Sequence, residues 1–463
     1  MGKTILSDEG VQEFVTGLYE VHNWMIGLVV GHCTSQKDFA VCLVPSPKEE
    51  TEDEETDKQT TLEGVSEHWI AEHARQVTRM LPGGLGVMGV FALAPPNMMK
   101  NAQTKLRQVL FAVHKLLKKR EHLAIGRVQE GEGSTDWTML QICTITRKLT
   151  CRTFDVSDPQ STARPADWKF QSFLSRWPYL HCRLHVDITV PVQHQAADCG
   201  QYSKQISAGL SPFVETIRNS LAIVNGQLRD PQDSLEAAAQ SKRKSGKKMA
   251  GPGGGNALKY SVELLSRNVR HCDSKVLHST CSARIQVHGV MESRSYVHNK
   301  ATVAEAIQAV KEDVIRSLQA RLELLSDELR QSSTEEEVKE VETEPPCSIA
   351  TPKRVFTKLP NTHISVCDYA FRDETAQDSL DRLSELLNLQ VTEEELELEV
   401  EKVPDDSDME ASERSSFSLS GAESEEGHQE RRKRRPVKYL GAALGAAGAL
   451  LAAGLSYLAI KQD

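Results

Sequence analysis

The residues of this chain that could do chemistry are histidines lying next to carboxylates or a thiol. Glu67-His68 and Glu72-His73 repeat at a five-residue interval, yet the His-Glu-x-x-His spacing by which a helix binds zinc is absent. We therefore expect both pairs to lie on a solvated helix face. His181-Cys182-x-x-His185 places two histidines on the polar face of a predicted strand, where surface or hydrogen-bonded imidazoles are favoured over metal ligands.

Other catalytic patterns are missing from the sequence. No Gly-x-Ser-x-Gly elbow occurs, and Gly246-Lys247 is followed by Lys248, so a phosphate-binding P-loop is excluded. The ten cysteines form no Cys-x-x-Cys pair and mostly lie in apolar, strand-like runs, which indicates buried, reduced thiols rather than disulfides or zinc ligands. We therefore predict neither a metal nor a cofactor. The cysteines are Cys33, Cys42, Cys143, Cys151, Cys182, Cys199, Cys272, Cys281, Cys347 and Cys367.

Hydrophobic periodicity indicates the elements that would position these residues. Apolar residues at helical spacing predict helices over 65–81 and 102–117, and a third, long helix over 303–325. Strict alternation of apolar and polar residues over 184–192 and 283–291 predicts strands with one solvent-exposed face. The fold class is therefore mixed α/β (α+β).

Charge runs divide the predicted units. We predict a first α/β domain over 1–157, interrupted by an acidic loop at 46–63, and a second α/β unit over 165–330. The second unit carries a mobile, basic and glycine-rich loop at 241–256. The remaining predicted segments are an acidic linker at 331–350, a short appendage with a helix at 351–390, and a disordered acidic leash at 391–438.

The C-terminal residues read as a tail anchor. The 22 uncharged residues from Tyr439 to Ile460 would give about 33 Å of helix, close to the ~30 Å hydrocarbon core of a bilayer. A basic cluster precedes this span and is expected to stay cytosolic, which leaves the N-terminus in the cytosol. Only Lys461, opposed by Asp463, follows the span, and this favours the endoplasmic reticulum over mitochondria. The basic flank consists of Arg431, Arg432, Lys433, Arg434 and Arg435.

The overall composition fits a body on a membrane tether. The net charge of −10, with positive charge concentrated only in the basic flank and in 242–248, argues against a nucleic-acid binder. The hydrophobic fraction of 39% is below the globular norm, so part of the chain is expected to be unfolded. The N-terminus has no apolar core long enough for a secretory signal.

The N-terminal part has a recognisable order of pieces. The strand Ile26-Gly-Leu-Val-Val-Gly31 leads to a second strand at 39–44, the acidic loop and the first helix. A turn at 82–86 then introduces the strand at 87–95, and the helix at 102–117 follows. This order resembles the MPN fold of the JAMM deubiquitinases, which are zinc isopeptidases.

The resemblance implies a site without its metal ligands. Zinc needs three lone-pair donors and an open position, whereas alanine offers no donor and an ammonium repels the ion. The domain is therefore expected to be catalytically dead, with Phe91 among the residues that fill the former metal pocket. The family's two ligand histidines fall on Ala92 and Ala94, its serine on Ala102, its ligand aspartate on Lys105 and its catalytic glutamate on Trp24.

Two N-terminal stretches are more specific. The stretches 27–39 (Gly-Leu-Val-Val-Gly-His-Cys-Thr-Ser-Gln-Lys-Asp-Phe) and 72–91, separated by an acidic insert and followed by a tail anchor, look like the odr-four (odorant response abnormal) family. That resemblance implies delivery of a subset of odorant-type G-protein-coupled receptors from the endoplasmic reticulum. It also implies that the chain holds the cytosolic protease for ubiquitin-fold modifier at that membrane.

Three functions are compatible with these features. The first is a non-catalytic adaptor whose partners are that protease, receptor clients and membrane lipid, but not nucleic acid. The second is a zinc isopeptidase with an atypical site, which stoichiometric zinc lost on changing His181 or His185 would favour. The third is a receptor chaperone that acts through its transmembrane helix and would not tolerate an unrelated anchor in place of 439–460.

Overall fold

A computed structural model describes residues 3–21, 23–34, 36–49, 61–119, 135–192, 199–236, 258–266, 283–335 and 347–402. The predicted span 439–460, its basic flank and the loop 241–256 lie outside these ranges. Within them the chain is mixed α/β, as predicted, and none of its helices is long and apolar enough to cross a membrane. The described helices are α1 (Glu9–Val21), α2 (Glu67–Met80), α3 (Pro96–Asn101), α4 (Gln103–Lys119), α5 (Cys199–Arg218), α6 (Val303–Glu335) and α7 (Ala376–Leu387).

Seven strands close into a barrel in the order β1-β3-β2-β4-β5-β6-β7. The central strand β2 is antiparallel to β3 and β4, and the first strand, β1, lies parallel between β3 and β7. β4 and β5 are parallel, and α3 and α4 form the crossover that such a pair requires. The barrel strands are β1 (Thr4–Ser7), β2 (Met25–Cys33), β3 (Lys37–Pro45), β4 (Gly86–Ala94), β5 (Asp136–Cys143), β6 (Leu149–Asp155) and β7 (Arg164–Phe170).

The two faces of β4 belong to two different cores. Ala92 and Ala94 point to the core that the barrel shares with α2 and α4, whereas Phe91 and Leu93 point to the core that includes α1. Alternation along a strand imposes this separation. Phe91 lies so close to Gly27 on β2 that a Cβ added there would come within 2.5 Å of its ring. A strand glycine is therefore required at that position.

The second sheet is built on a long antiparallel pair. Its order is β12-β11-β8-β10-β9, and β8 pairs with β11 from Tyr179 opposite Tyr296 to Val192 opposite Ala283. The predicted alternation of β8 is confirmed, since Val186, Ile188 and Val190 are buried against α5 and α6. These strands are β8 (Tyr179–Val192), β9 (Leu221–Val224), β10 (Lys259–Leu265), β11 (Ala283–Tyr296) and β12 (Cys347–Ala350).

A hairpin near the C-terminal end of the described chain joins both sheets. Strands β13 (Lys353–Lys358) and β14 (Ser365–Ala370) are antiparallel and precede α7. Val355, Val366 and Leu383 are buried in the same core as the α2 face of the barrel. The segment 351–390, predicted as a short appendage with a helix, contains that helix as α7, and its apolar residues complete the first core.

Two further predicted boundaries differ from the structure. β7 closes the barrel, so the first unit continues beyond 157 and the second begins after 170 rather than at 165. The residues 392–402, which we call the strap, are not part of a disordered leash starting at 391. Leu396 and Glu401 of the strap are both buried, with Glu401 only 2% exposed.

Helix α2 lies at the centre of the molecule and is covered on several sides. His73 Nε2 is 2.9 Å from the carbonyl oxygen of Leu386, and Arg79 donates to Glu323 Oε2 of α6 at 2.6 Å. Glu72 and His73 are therefore buried, and the prediction of a solvated face was wrong for this pair. The strands, α6 and the hairpin supply polar partners that the helix sequence does not reveal.

Candidate functional site

The structure brings three of the predicted metal-site positions into one core. Ala92 and Ala94 lie at the end of β4, and Ala102 caps α3 where α4 begins. All three are at most 1% exposed. They share the core that also includes α2 and α4.

The other predicted positions lie at the edge of this core or outside it. Lys105 is half-buried, and its Nζ is 3.0 Å from Glu67 Oε1 at the start of α2. Trp24 packs against the same core but is only half-buried. Phe91 points to the opposite side of the sheet, so the expectation that it fills the former metal pocket was wrong.

A polar network lies beside the alanines and was not predicted. Gln141 is the strand neighbour of Ala92 and donates to Gln103 Oε1 at 3.1 Å. The Arg152 guanidinium donates to the same oxygen at 3.0 Å, and Gln103 Nε2 donates to the carbonyl of Met99 at 2.7 Å. Amides and a guanidinium do not transfer protons near neutral pH, so this network satisfies buried polar groups rather than activating water.

A sequence signal for this network existed. Gln141 is a lone amide within the apolar run of β5, and Gln103 follows Ala102 directly at the start of α4. An amide inside a buried strand needs a hydrogen-bond partner, which would have directed attention to the crossover helix. Which partner it meets depends on the parallel pairing of β4 with β5, and that pairing is not visible in local sequence.

The second candidate metal pair is spread along an open strand face. His185 is exposed and His181 is half-buried, where burial lowers the pKa of its imidazole. His181 lies against the ring of Tyr179 with centroids 6.2 Å apart. Throughout the part of the chain that the structure describes, no three His, Cys, Asp or Glu side chains are grouped to hold a metal.

Cys151, Cys182 and Cys367 are buried thiols, as the sequence predicted, and Cys42 is half-buried. Burial raises the pKa of Cys42, Cys151 and Cys182 to about 12 and that of Cys367 to about 11. These four thiols, Cys33 and Cys143 are all free. Cys143 differs, because hydrogen bonding by the turn at Thr146 outweighs the effect of burial and lowers its pKa. The raised pKa of Cys42, Cys151, Cys182 and Cys367 keeps these thiols protonated near neutral pH, and the thiol is a far weaker nucleophile than the thiolate.

Several histidines are kept neutral where the parts of the fold meet. Burial lowers the pKa of His73 and that of His298 to about 4. His73 bridges Ser46 and α7, and His298 stacks on Phe39 of the barrel at a centroid distance of 5.8 Å. His32 accompanies His298 at 5.5 Å, and its pKa is also lowered by burial. These histidines join structural units rather than forming a catalytic group.

The family model and the curated relatives that match this chain belong to one family. A family model described as ODR4-like, Odorant response abnormal 4-like, matches residues 27–398. The "Protein odr-4 homolog" of Mus musculus is 33% identical over 467 residues, and the alignment covers 99% of each chain. The homolog of Homo sapiens is 32% identical, and the alignment covers 99% of each chain. That of Xenopus tropicalis is 33% identical, and the alignment covers 87% of each chain. A solved structure, "Crystal structure of UfSP from C.elegans", has a TM-score of 0.42 at 9% identity and covers 84% of this chain and 56% of that one.

Proposed function

The chain belongs to the odorant response abnormal 4-like family, and from this membership we propose that it is a non-catalytic membrane adaptor. Its clients would be odorant-type G-protein-coupled receptors leaving the endoplasmic reticulum. Its enzyme partner would be the cytosolic protease for ubiquitin-fold modifier, which the adaptor holds at that membrane. The family name and the sequence resemblance support these partners.

The non-catalytic part of the proposal rests on one observation, the buried alanines beside β4. Ala92, Ala94 and Ala102 are buried and contribute no donor atom, and the neighbouring amides of Gln103 and Gln141 bind each other. A zinc hydrolase needs three donors and an open coordination position for water. A domain packed in this way is suited to present its outer surface to a partner.

The tail-anchored location rests on sequence. The uncharged run Tyr439 to Ile460 has the length of a bilayer span, and the flank Arg431 to Arg435 follows the positive-inside rule. Arginine at the centre of a span costs about 2.5–3.5 kcal/mol on insertion scales. Replacing Leu450, Leu451 and Leu455 by arginine is therefore expected to release the chain from the membrane fraction.

The test uses the full chain in cells that lack their own family member. We expect it to restore the membrane-bound fraction of the protease and the surface delivery of a receptor client. The triple arginine variant should restore neither, whereas a chain with an unrelated anchor in place of 439–460 should restore both. Failure of the anchor exchange would favour a chaperone acting through its own span. Stoichiometric zinc and cleavage of modifier fusions by the purified chain would overturn the non-catalytic assignment.

A further inference from the structure

Three buried arginines from three different elements meet beside the strap: Arg294 and Arg354 lie over the ring of Phe356, and Arg321 and Arg354 lie near Glu401. Arg294 lies on β11, Arg321 on α6 and Arg354 on β13. Their exposed fractions are 7%, 4% and 2%. Buried guanidinium groups require anions or carbonyl oxygens at hydrogen-bond distance. We call this set the arginine groove, and the strap supplies two of its anions.

The first anion of the strap is Glu397. Arg294 donates to both of its carboxylate oxygens, at 3.1 Å to Oε1 and 2.6 Å to Oε2. This two-point contact fixes the orientation of the carboxylate as well as its position. The backbone N–H of Glu397 also donates to the carbonyl of Phe356 on β13 at 2.8 Å. Glu397 is therefore held by its side chain and by its backbone.

The second anion, Glu401, is more deeply bound. Its Oε1 accepts from the backbone N–H of Glu292 at 2.8 Å, and its Oε2 accepts from the backbone N–H of Arg354 at 2.8 Å. The Arg321 guanidinium donates to Oε2 as well. Burial tends to raise the pKa of this carboxyl, but Arg321 and Arg354 lower it overall. Glu401 is thus bound as a carboxylate.

The strap makes few other regular contacts with the body. Its pairing with β13 is a single bridge between Phe356 and Glu397, beside a hydrogen bond from Lys353 Nζ to the carbonyl of Leu398 at 2.9 Å. Leu396 is buried immediately before the first glutamate, whereas Glu399, between the two bound glutamates, is exposed. The recognised pattern is an apolar residue followed by glutamates at the next position and four positions later.

We propose that the arginine groove is an acidic-peptide site that the strap occupies in cis. The ligand is a peptide segment with a leucine, a glutamate directly after it and a second glutamate four residues further on. Such a peptide takes the place of the strap when the strap is released. The proposal is independent of the adaptor function, because it concerns only described residues of the second unit and the hairpin.

The placement of the strap is what makes it resemble a bound ligand. It enters after Asn388, which has a left-handed backbone with φ of 54°, and passes through the exposed Gln390 and Thr392. Its contacts are then the two bound carboxylates, the buried Leu396, and the partly buried Leu398 and Val400, which pack against neighbouring core residues. A covalently attached ligand has an effective concentration near the millimolar range, so it excludes a free peptide of moderate affinity. The groove therefore shows its specificity only after the strap is detached.

The test detaches the strap in the full chain. A specific protease site is inserted after Gln390, the purified protein is cut, and peptides are added to the uncut and cut forms. We expect the C-terminal fragment to co-elute with the body after cutting and to be displaced by a peptide of sequence 391–402. The cut form, freed of its fragment, should bind this peptide at least tenfold more tightly than the uncut form.

Matched peptides decide whether the two positions are recognised. A peptide with E397Q and E401Q should lose at least tenfold in affinity, while one with E399Q should bind like the parent because that side chain is exposed. Equal displacement by all acidic peptides would overturn the proposal, as would loss of the fragment directly after cutting. The uncut E397Q/E401Q chain provides a second route, since it should bind the parent peptide without cleavage.

Discussion

At the scale of single residues, the alanines at the predicted metal-site positions are core residues. Placing imidazoles at Ala92 and Ala94 (A92H/A94H) would put two polar rings into a packed space at the end of β4. A buried polar group without a partner costs on the order of 1–3 kcal/mol. We expect thermal denaturation to show a clear loss of stability and no rescue by added zinc, since Lys105, the position predicted for a third ligand, carries an ammonium paired with Glu67 and offers the metal no lone pair.

A control for this prediction is available on the same kind of element. Thr189 lies on β8 and is exposed, so T189H places an imidazole on a strand without burying it. This variant should melt like the parent. A double variant that also melts like the parent, or that zinc stabilises, would show that the space beside Ala92 and Ala94 is open.

The buried histidines predict how stability depends on pH. His73 and His298 have pKa values lowered to about 4 by burial, so both are neutral in the native state at pH values where the unfolded chain begins to bind protons. Their contribution is complete above about pH 6.5 and is lost as the pH falls towards 4. The free energy of unfolding, measured by denaturant titration, should therefore fall between pH 6.5 and 4.5.

Removal of one titrating ring tests the origin of this fall. His298 stacks on Phe39 at 15° between the ring planes, so H298F keeps an aromatic contact and removes the proton acceptor. The slope of stability against pH in this window should decrease in that variant. The lowered pKa values of Glu397 and Glu401 act at lower pH, so they do not account for the same window. An unchanged slope would contradict our assignment.

At the scale of elements, local periodicity predicted which helices and strands form but not which other segments pack over them. The helices at 65–81 and 102–117 and the strands at 184–192 and 283–291 follow from apolar spacing alone. The burial of Glu72 and His73 was not predicted. Apart from Arg75, their partners lie outside α2, on α7 and at the strand end at Ser46. The burial of the strap was not predicted either. Its acidic composition indicates disorder, and the buried arginines that bind its glutamates lie elsewhere in the sequence.

The acidic loop is predicted to contain a dispensable part and a structural part. Residues 50–60 lie outside the described chain, but Leu62 is fully buried and the Trp69 indole donates to the carbonyl of Pro47 at 2.8 Å. Replacing 50–60 by an equally long Gly/Ser segment should leave the melting temperature unchanged. Changes in loop length alone cost only about 0.6 kcal/mol per doubling.

Removal of the whole segment 46–63 is the matching variant. It should lower the melting temperature, because it takes away Leu62 and the partners of Trp69 and His73. Equal stability of the two variants would mean that the ends of the loop contribute nothing. The sequence analysis predicted one acidic loop over 46–63 and did not separate these two parts.

At the scale of the whole molecule, the predicted end of the folded part is too early. A chain that stops at residue 390 lacks the strap, so Arg294 loses Glu397 and Arg321 loses Glu401, whereas Arg354 keeps its carboxylate partner Asp313. Loss of one partner of a buried ion pair costs about 3–5 kcal/mol. We expect the 1–390 chain to melt well below the 1–402 chain, as followed by calorimetry.

The comparison of 1–402 with longer chains is the control for that experiment. Residues beyond 402 are predicted to act as a tether, so the chain ending at 402 should melt like one that ends at 430. Coincident melting of 1–390 and 1–402 would contradict a structural role of the strap. Domain boundaries at 157 and 390 both failed because they were drawn from charge runs, whereas strand pairing and buried charges determine where folding units end.

The place of the first strand in the barrel has a consequence for synthesis. Thr4 of β1 pairs with Lys37 on one side and with Asp167 on the other. A nascent chain therefore contains β1 early, but β7, the strand that closes the barrel, follows roughly 160 residues later. At ribosomal rates of ~5–20 residues per second this delay is on the order of 10–30 s. During that interval one edge of β1 has no strand beside it, and a chaperone that shields strand edges would act on the chain before it is released.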